Sequence, residues 1–103
     1  MIKVLWLSNC LFSDEKIRAS GTWLYAMIEA LTKTGEVQMY NITKGNVKTF
    51  TQQNATNITQ WIVPVEEPQK NGLPPQKTIN FIKKIESEIK PDLVHIWGTE
   101  YYW

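Results

Sequence analysis

The chain has 103 residues, 43% of them apolar, with 11 basic and 10 acidic side chains and a formal net charge of +1. That length fits one domain with little core to spare, and lysines interspersed with glutamates, as in "KKIESEIK", leave no basic run for a nucleic acid or an anionic membrane surface. The single cysteine, Cys10, excludes an internal disulfide, and "MIKVLWL" is too short for a membrane span and lacks the flanks of a signal peptide, so the chain reads as cytoplasmic.

The first element is "IKVLWL" (2–7). Its nearly continuous apolar run is the pattern of a strand covered on both faces and predicts a central position. A polar loop over 8–19 leads to a helix between Ser20, a capping residue, and Gly35, which can take the left-handed conformation that ends a helix. Trp23, Leu24, Met27, Ile28 and Leu31 recur at three- and four-residue spacing and give that helix one buried face. "EVQMYNI" (36–42) reads as a second strand. The stretch 43–58, rich in Thr, Asn and Gln and without a period, predicts a long loop. Its Asn-x-Thr triplets at Asn54 and Asn57, like that at Asn41, have no role without a secretory signal. "QWIVPV" (60–65) predicts a third strand ended by Pro64, and "KNGLPPQ" a turn. The second helix spans 76–90, with Ile79, Ile82, Ile85 and Ile89 on one face and Pro91 as its stop. "DLVHIW" (92–97) is the fourth strand.

Two of the strand-to-strand connections carry helices, and such crossovers join parallel strands with a right-handed return. The predicted fold is therefore α/β, a doubly wound, mostly parallel Rossmann-like sheet of order 3-2-1-4. Ligands would bind off the carboxyl ends of strands one and four, where the order reverses. Gly21 and the residues after Trp97 fall at that edge. Capping alone does not require Gly21. It is either a plain helix-start glycine or a bare backbone that an anion, phosphate above all, can approach at a helix N-terminus, with Ser20 and Thr22 beside it. One His and one Cys far apart, with acids at unremarkable spacings, give no metal-ligand set.

The ordered set "VLWLSN", "SGTWLYAMIEALTKTGEVQMYNIT" and "IKPDLVHIWGTE" resembles the amino-terminal domain of glycosyltransferase family 4, the retaining, metal-independent enzymes of the GT-B fold. The resemblance covers essentially the whole chain. It implies that residues 1–103 are the first part of the acceptor-side domain of a longer enzyme whose nucleotide-sugar domain lies elsewhere. Such an enzyme moves a sugar from a nucleotide-sugar donor to a hydroxyl of a saccharide or lipid-linked acceptor, in the cytoplasm and at the inner face of the membrane, with no cofactor. The chain alone is then expected to be inactive. Gly21 matches the family glycine whose backbone approaches the donor diphosphate. Trp97 stands where many members carry the second His of H-x-H, Glu36 replaces the His of "GHeV", and one glycine replaces two.

His95, flanked by Val94 and Ile96, reads as a hydrogen-bonded core residue ahead of a catalytic one. Glu100, in the loop "GTE", is either a solvated acid or a carboxylate that bonds acceptor hydroxyls or moves a proton. Trp97, Gly98, Thr99 and Tyr101 are the expected acceptor contacts, because flat rings with polar edges suit sugars. Tyr102 and Trp103 share that chemistry, or pack under further parts of a domain. Cys10 has no base nearby in sequence to make it a nucleophile. A dinucleotide enzyme would want G-x-G-x-x-G after the first strand, where "SNCLFSDEK" stands. A non-catalytic flavodoxin-like binding module remains as the alternative, since fold alone does not fix function. An uncovered "DLVHIW" edge would also lead the chain to self-associate through residues 93–103.

Overall fold

The computed structural model describes residues 1–12 and 22–97, the side chains of residues 22–25 excepted. Seven elements follow one another: β1 (Ile2–Ser8), α1 (Thr22–Thr32), β2 (Val37–Gly45), β3 (Thr51–Gln52), β4 (Ile58–Pro64), α2 (Gln76–Ile89) and β5 (Leu93–Ile96). They build one five-stranded sheet of order β3-β4-β2-β1-β5. β1 pairs in parallel with β2 and β5, β2 pairs in parallel with β4, and β3 runs antiparallel to β4.

Alternation along β1 explains its unbroken apolar run. Val4 and Trp6 join Met39, Ile58, Phe12 and Ile28 of α1 in one buried cluster. Leu5 and Leu7 join Tyr40, Ile42, Val63 and Ile85 of α2 in the other. Each helix thus covers its own face, and a strand between two covered faces has no position to spare for polar side chains. The result is a small α/β domain with a mostly parallel sheet, compatible with a Rossmann-like fold. On α2, Phe81, Ile82 and Ile89 flank Ile85 at the sheet. Ile79, expected on that face, is half-buried and belongs to neither cluster.

The expected order 3-2-1-4 is not matched, because the sheet has a fifth strand within 43–58, where the residues predict a long loop. Residues 43–45 extend β2, Thr51–Gln52 form β3, and β4 begins at Ile58. An Ala55–Ile58 bridge and the left-handed Asn57 (φ 65°) close the turn between β3 and β4. What hides this hairpin is its chemistry. β3 itself is two polar residues, Thr51 and Gln52, neither of them buried, and side chains complete the bonding of the hairpin, with Asn54 Oδ1 accepting from the Gln60 backbone N–H at 3.3 Å. Hydrophobic periodicity has nothing to register in such a segment.

Chain reversals use left-handed residues where helices end. Gly35 (φ 76°) follows α1 and donates to Thr32 O at 3.1 Å. Lys90 (φ 50°) takes the same role after α2, its N–H donating to Glu86 O at 2.9 Å. A side chain in that conformation costs about 1–2 kcal/mol that glycine does not pay. Lys90→Gly is therefore expected to raise stability by about 1 kcal/mol, visible as a higher urea midpoint with unchanged slope. Two residues on, Asp92 clamps the start of β5 to β1. Its N–H donates to Lys3 O, and its Oδ2 accepts from Lys3 N, both at 2.8 Å. Among the described residues no helix is long and apolar enough to cross a membrane.

Candidate functional site

β1 has β2 on one side and β5 on the other, so successive crossovers leave it in opposite directions. In sheets of this kind the crevice at the carboxyl ends of the strands, where the order reverses, is the natural ligand position. Two clusters of side chains stand there.

The first is a buried polar network. Ser8, Asn41 and Gln60 are each 0% exposed. Asn41 and Gln60 are register partners on β2 and β4, so their side chains share a face. Ser8 Oγ donates to Asn41 Oδ1 at 2.7 Å and accepts from Cys10 N at 3.3 Å. Asn41 Nδ2 donates to Gln60 Oε1 at 2.8 Å and to Cys10 O at 3.0 Å. Gln60 Oε1 accepts from Phe12 N at 3.0 Å, while Nε2 donates to Phe12 O and to Gln53 O, both at 3.1 Å. Every N–H of the two carboxamides is donated and both carbonyl oxygens accept, so each amide has one workable orientation. Against Phe12 the Gln60 amide does what a neighbouring strand would do, bonding both N–H and C=O of one residue. A cluster of Ser, Asn, Gln and Cys at a switch point invites a catalytic reading, but its hydrogen-bonding capacity is spent on holding the loop after β1 in place. It is scaffolding for a site rather than its reactive part.

Cys10 follows the same logic. It is free and half-buried, and burial pushes its thiol above the ordinary value of 9.0. A thiol that keeps its proton is a poor nucleophile. Alkylation by iodoacetamide should therefore show its midpoint above pH 9.0 in the folded chain, shifting down to the ordinary thiol value in urea. The folded state holds the proton longer than the unfolded one, so its contribution to stability is whole below about pH 9 and is lost as pH rises through the folded value. At the end of β2, burial likewise lowers the Lys44 ammonium from 10.5.

The second cluster is aromatic. Trp97 donates its backbone N–H to Leu7 O at 2.8 Å, which places it directly beside the end of β1. Its indole meets Trp6 edge-on, with centroids 5.3 Å apart and planes at 78°. On Trp97 lies the His95 imidazole, nearly parallel at 15° and 3.9 Å. Trp6 also touches Phe12, 6.1 Å away. Phe12 of the β1 loop and the half-buried Trp97 therefore rest on one buried indole.

His95 corrects an expectation. The apolar run "DLVHIW" suggested a core histidine, yet all four residues of β5 are exposed and none belongs to either core cluster. Strand β5 is a sheet edge, and its neighbours Leu93, Val94 and Ile96 are 54%, 41% and 44% exposed. Apolar composition there marks uncovered surface.

Of the other expected site residues, Thr22 opens α1. Ser20, Gly21, Gly98, Thr99, Glu100 and Tyr101 lie outside the described residues, as do Tyr102 and Trp103. Asn41 and Gln60 were missed. Neither is a lone polar residue in its strand, for Gln38 and Thr43 flank Asn41 on β2 and Thr59 precedes Gln60 on β4, so composition does not single out the pair that is buried and needs partners. Asn41 being fully buried also removes its Asn-x-Thr triplet from any surface role. Among the described residues no group of His, Cys, Asp and Glu could hold a metal ion. A shallow depression of about 560 Å³ lies at the opposite end of the sheet, between Met1, Gly35, Val37 and Ile58, away from both clusters. Comparison of the chain with protein families, with curated proteins and with solved structures found no match.

Proposed function

We propose that this chain is the first part of the acceptor-side domain of a retaining glycosyltransferase resembling family 4, an incomplete half of a GT-B fold. The observation that carries the reading is the exposed His95 stacked on the half-buried Trp97 at the carboxyl end of β5, beside the loop that the amide network fixes. The outer face of the imidazole, backed by the Trp97 indole, can pack on the apolar face of a sugar, and its edge can bond the hydroxyls. In this reading Trp97, Gly98, Thr99 and Tyr101 contact a saccharide or lipid-linked acceptor. Ser20, Gly21 and Thr22 receive the donor diphosphate, and His95 and Glu100 are the candidates to move a proton. The donor sugar is held mainly by a domain outside these residues, and no cofactor takes part. The exposed apolar edge of β5 then awaits a further strand, and without one the chain self-associates there.

The test is a panel of saccharides and nucleotide-sugars, read by thermal stability and tryptophan fluorescence. A ligand at a hundredfold its Kd stabilises the native state by about 2.7 kcal/mol. A saccharide should raise the midpoint, and Trp97→Ala should abolish the shift while the unliganded protein stays folded. Saccharides without effect, or a shift that survives Trp97→Ala, would reject the acceptor reading. The flavodoxin-like binding module would then stand, favoured by the fully engaged polar groups at the end of β1.

A further inference from the structure

Between β4 and α2 the chain makes a compact turn with its own bonding. Gln69 N donates to Leu73 O at 2.8 Å, Gly72 N donates to Gln69 O at 2.9 Å, and Gln69 Nε2 donates to Pro74 O at 2.7 Å. At its tip Asn71 and Gly72 are exposed, with Gly72 left-handed (φ 84°). Leu73 N donates to Asn71 Oδ1 at 3.1 Å. This is the one Asn-Gly pair in the sequence.

An asparagine followed by glycine carries its own chemistry, because no Cβ shields the next backbone nitrogen from the carboxamide. That nitrogen gives up its proton and attacks Asn71 Cγ. The new C–N bond forms as the Cγ–Nδ2 bond breaks, and Nδ2 leaves as ammonia with the proton. The resulting cyclic imide adds one water at either carbonyl and opens to aspartate or isoaspartate. One water is consumed, one ammonia is released, and nothing is oxidised or reduced. Both reacting groups are engaged in the native turn. The attacking N–H is donated to Gln69 O, and the carboxamide oxygen is fixed by Leu73 N–H.

We infer that Asn71 is a spontaneous deamidation site whose rate is set by opening of the 69–74 turn. The other exposed asparagines lack a following glycine, and Asn41 is buried, so the chemistry is confined to this tip. Conversion takes the formal net charge from +1 to zero. It also adds a carboxylate to a segment that already carries Glu66 and Glu67. The isoaspartate product lengthens the backbone inside the Gln69–Gly72 bond, which the turn cannot then close.

The experiment is incubation of the whole chain at neutral pH, with peptide mapping by mass spectrometry over time, natively and in urea. Acid should appear first at Asn71, as a mixture with isoaspartate. The native rate should be lower than the unfolded rate by at least the roughly fivefold that one retained hydrogen bond represents. Gln69→Ala, which removes the bond to Pro74 O, should bring the native rate closer to the unfolded one. Acid appearing first at another asparagine, equal native and unfolded rates, or a native rate untouched by Gln69→Ala would each overturn the inference. The native-against-urea comparison needs no variant, so it decides even if Gln69→Ala folds poorly.

Discussion

Gln60→Glu is expected to destabilise the domain by about 3–5 kcal/mol, the range for a buried charge left without a partner. That loss is a large share of the ~5–15 kcal/mol available to a domain of this size. The reason lies in two atoms. Gln60 Nε2 donates to the carbonyls of Phe12 and Gln53, and a carboxylate oxygen in its place would face two lone-pair-bearing oxygens at about the same 3.1 Å. Protonation rescues one of those bonds, so the variant should lose less stability in acid than at neutral pH. Wild type has no ionisable group among Ser8, Asn41 and Gln60, and this contribution should not vary with pH. Urea titrations of both proteins across that range check the expectation. A variant as stable as wild type at neutral pH would mean that the loop after β1 can release Gln60 at no cost.

Trp6→Ala should cost about 3–5 kcal/mol as a large-to-small change in a core with little slack. Trp6 is 1% exposed and is among the largest fully buried side chains. Its further consequence is local. Phe12 and Trp97 both rest on it, so the variant should loosen the loop after β1 and the His95–Trp97 stack together. Hydrogen exchange at Phe12 and near-ultraviolet circular dichroism report the two separately. If the fold weakens but neither signal changes, the two clusters are held by something other than the shared indole.

Much of this architecture was legible in the residues, and the exceptions have physical causes. The run Val4–Leu7 needs cover on both sides, which placed β1 inside the sheet, and the Ile82–Ile85–Ile89 spacing marked the buried stripe of α2. Periodicity reports burial, so it was silent where burial is not what holds the chain. β3 is two polar residues kept by a hairpin and by carboxamide bonds. The Asn41–Gln60 pair was invisible for another reason. Nineteen residues separate them, and they meet through strand register, which no local pattern encodes. His95 was misplaced because an apolar strand in a parallel sheet implies cover on two faces, and β5 has neighbours on one edge alone.

The two borders of the sheet are unlike, and this limits how far it can grow. At one end β5 presents four exposed residues, mostly apolar, with no proline among them. At the other, β3 is a two-residue polar stub running against the grain of the parallel strands. Stacking into a fibre needs both borders to accept a newcomer, so that each addition regenerates the surface it used. Here an addition at β5 consumes the receptive border and leaves blunt ones outside. Two copies joined through β5 would close on themselves, capped at both extremities by β3. The hairpin of β3 and β4 is thus what would make an association through β5 a terminating event.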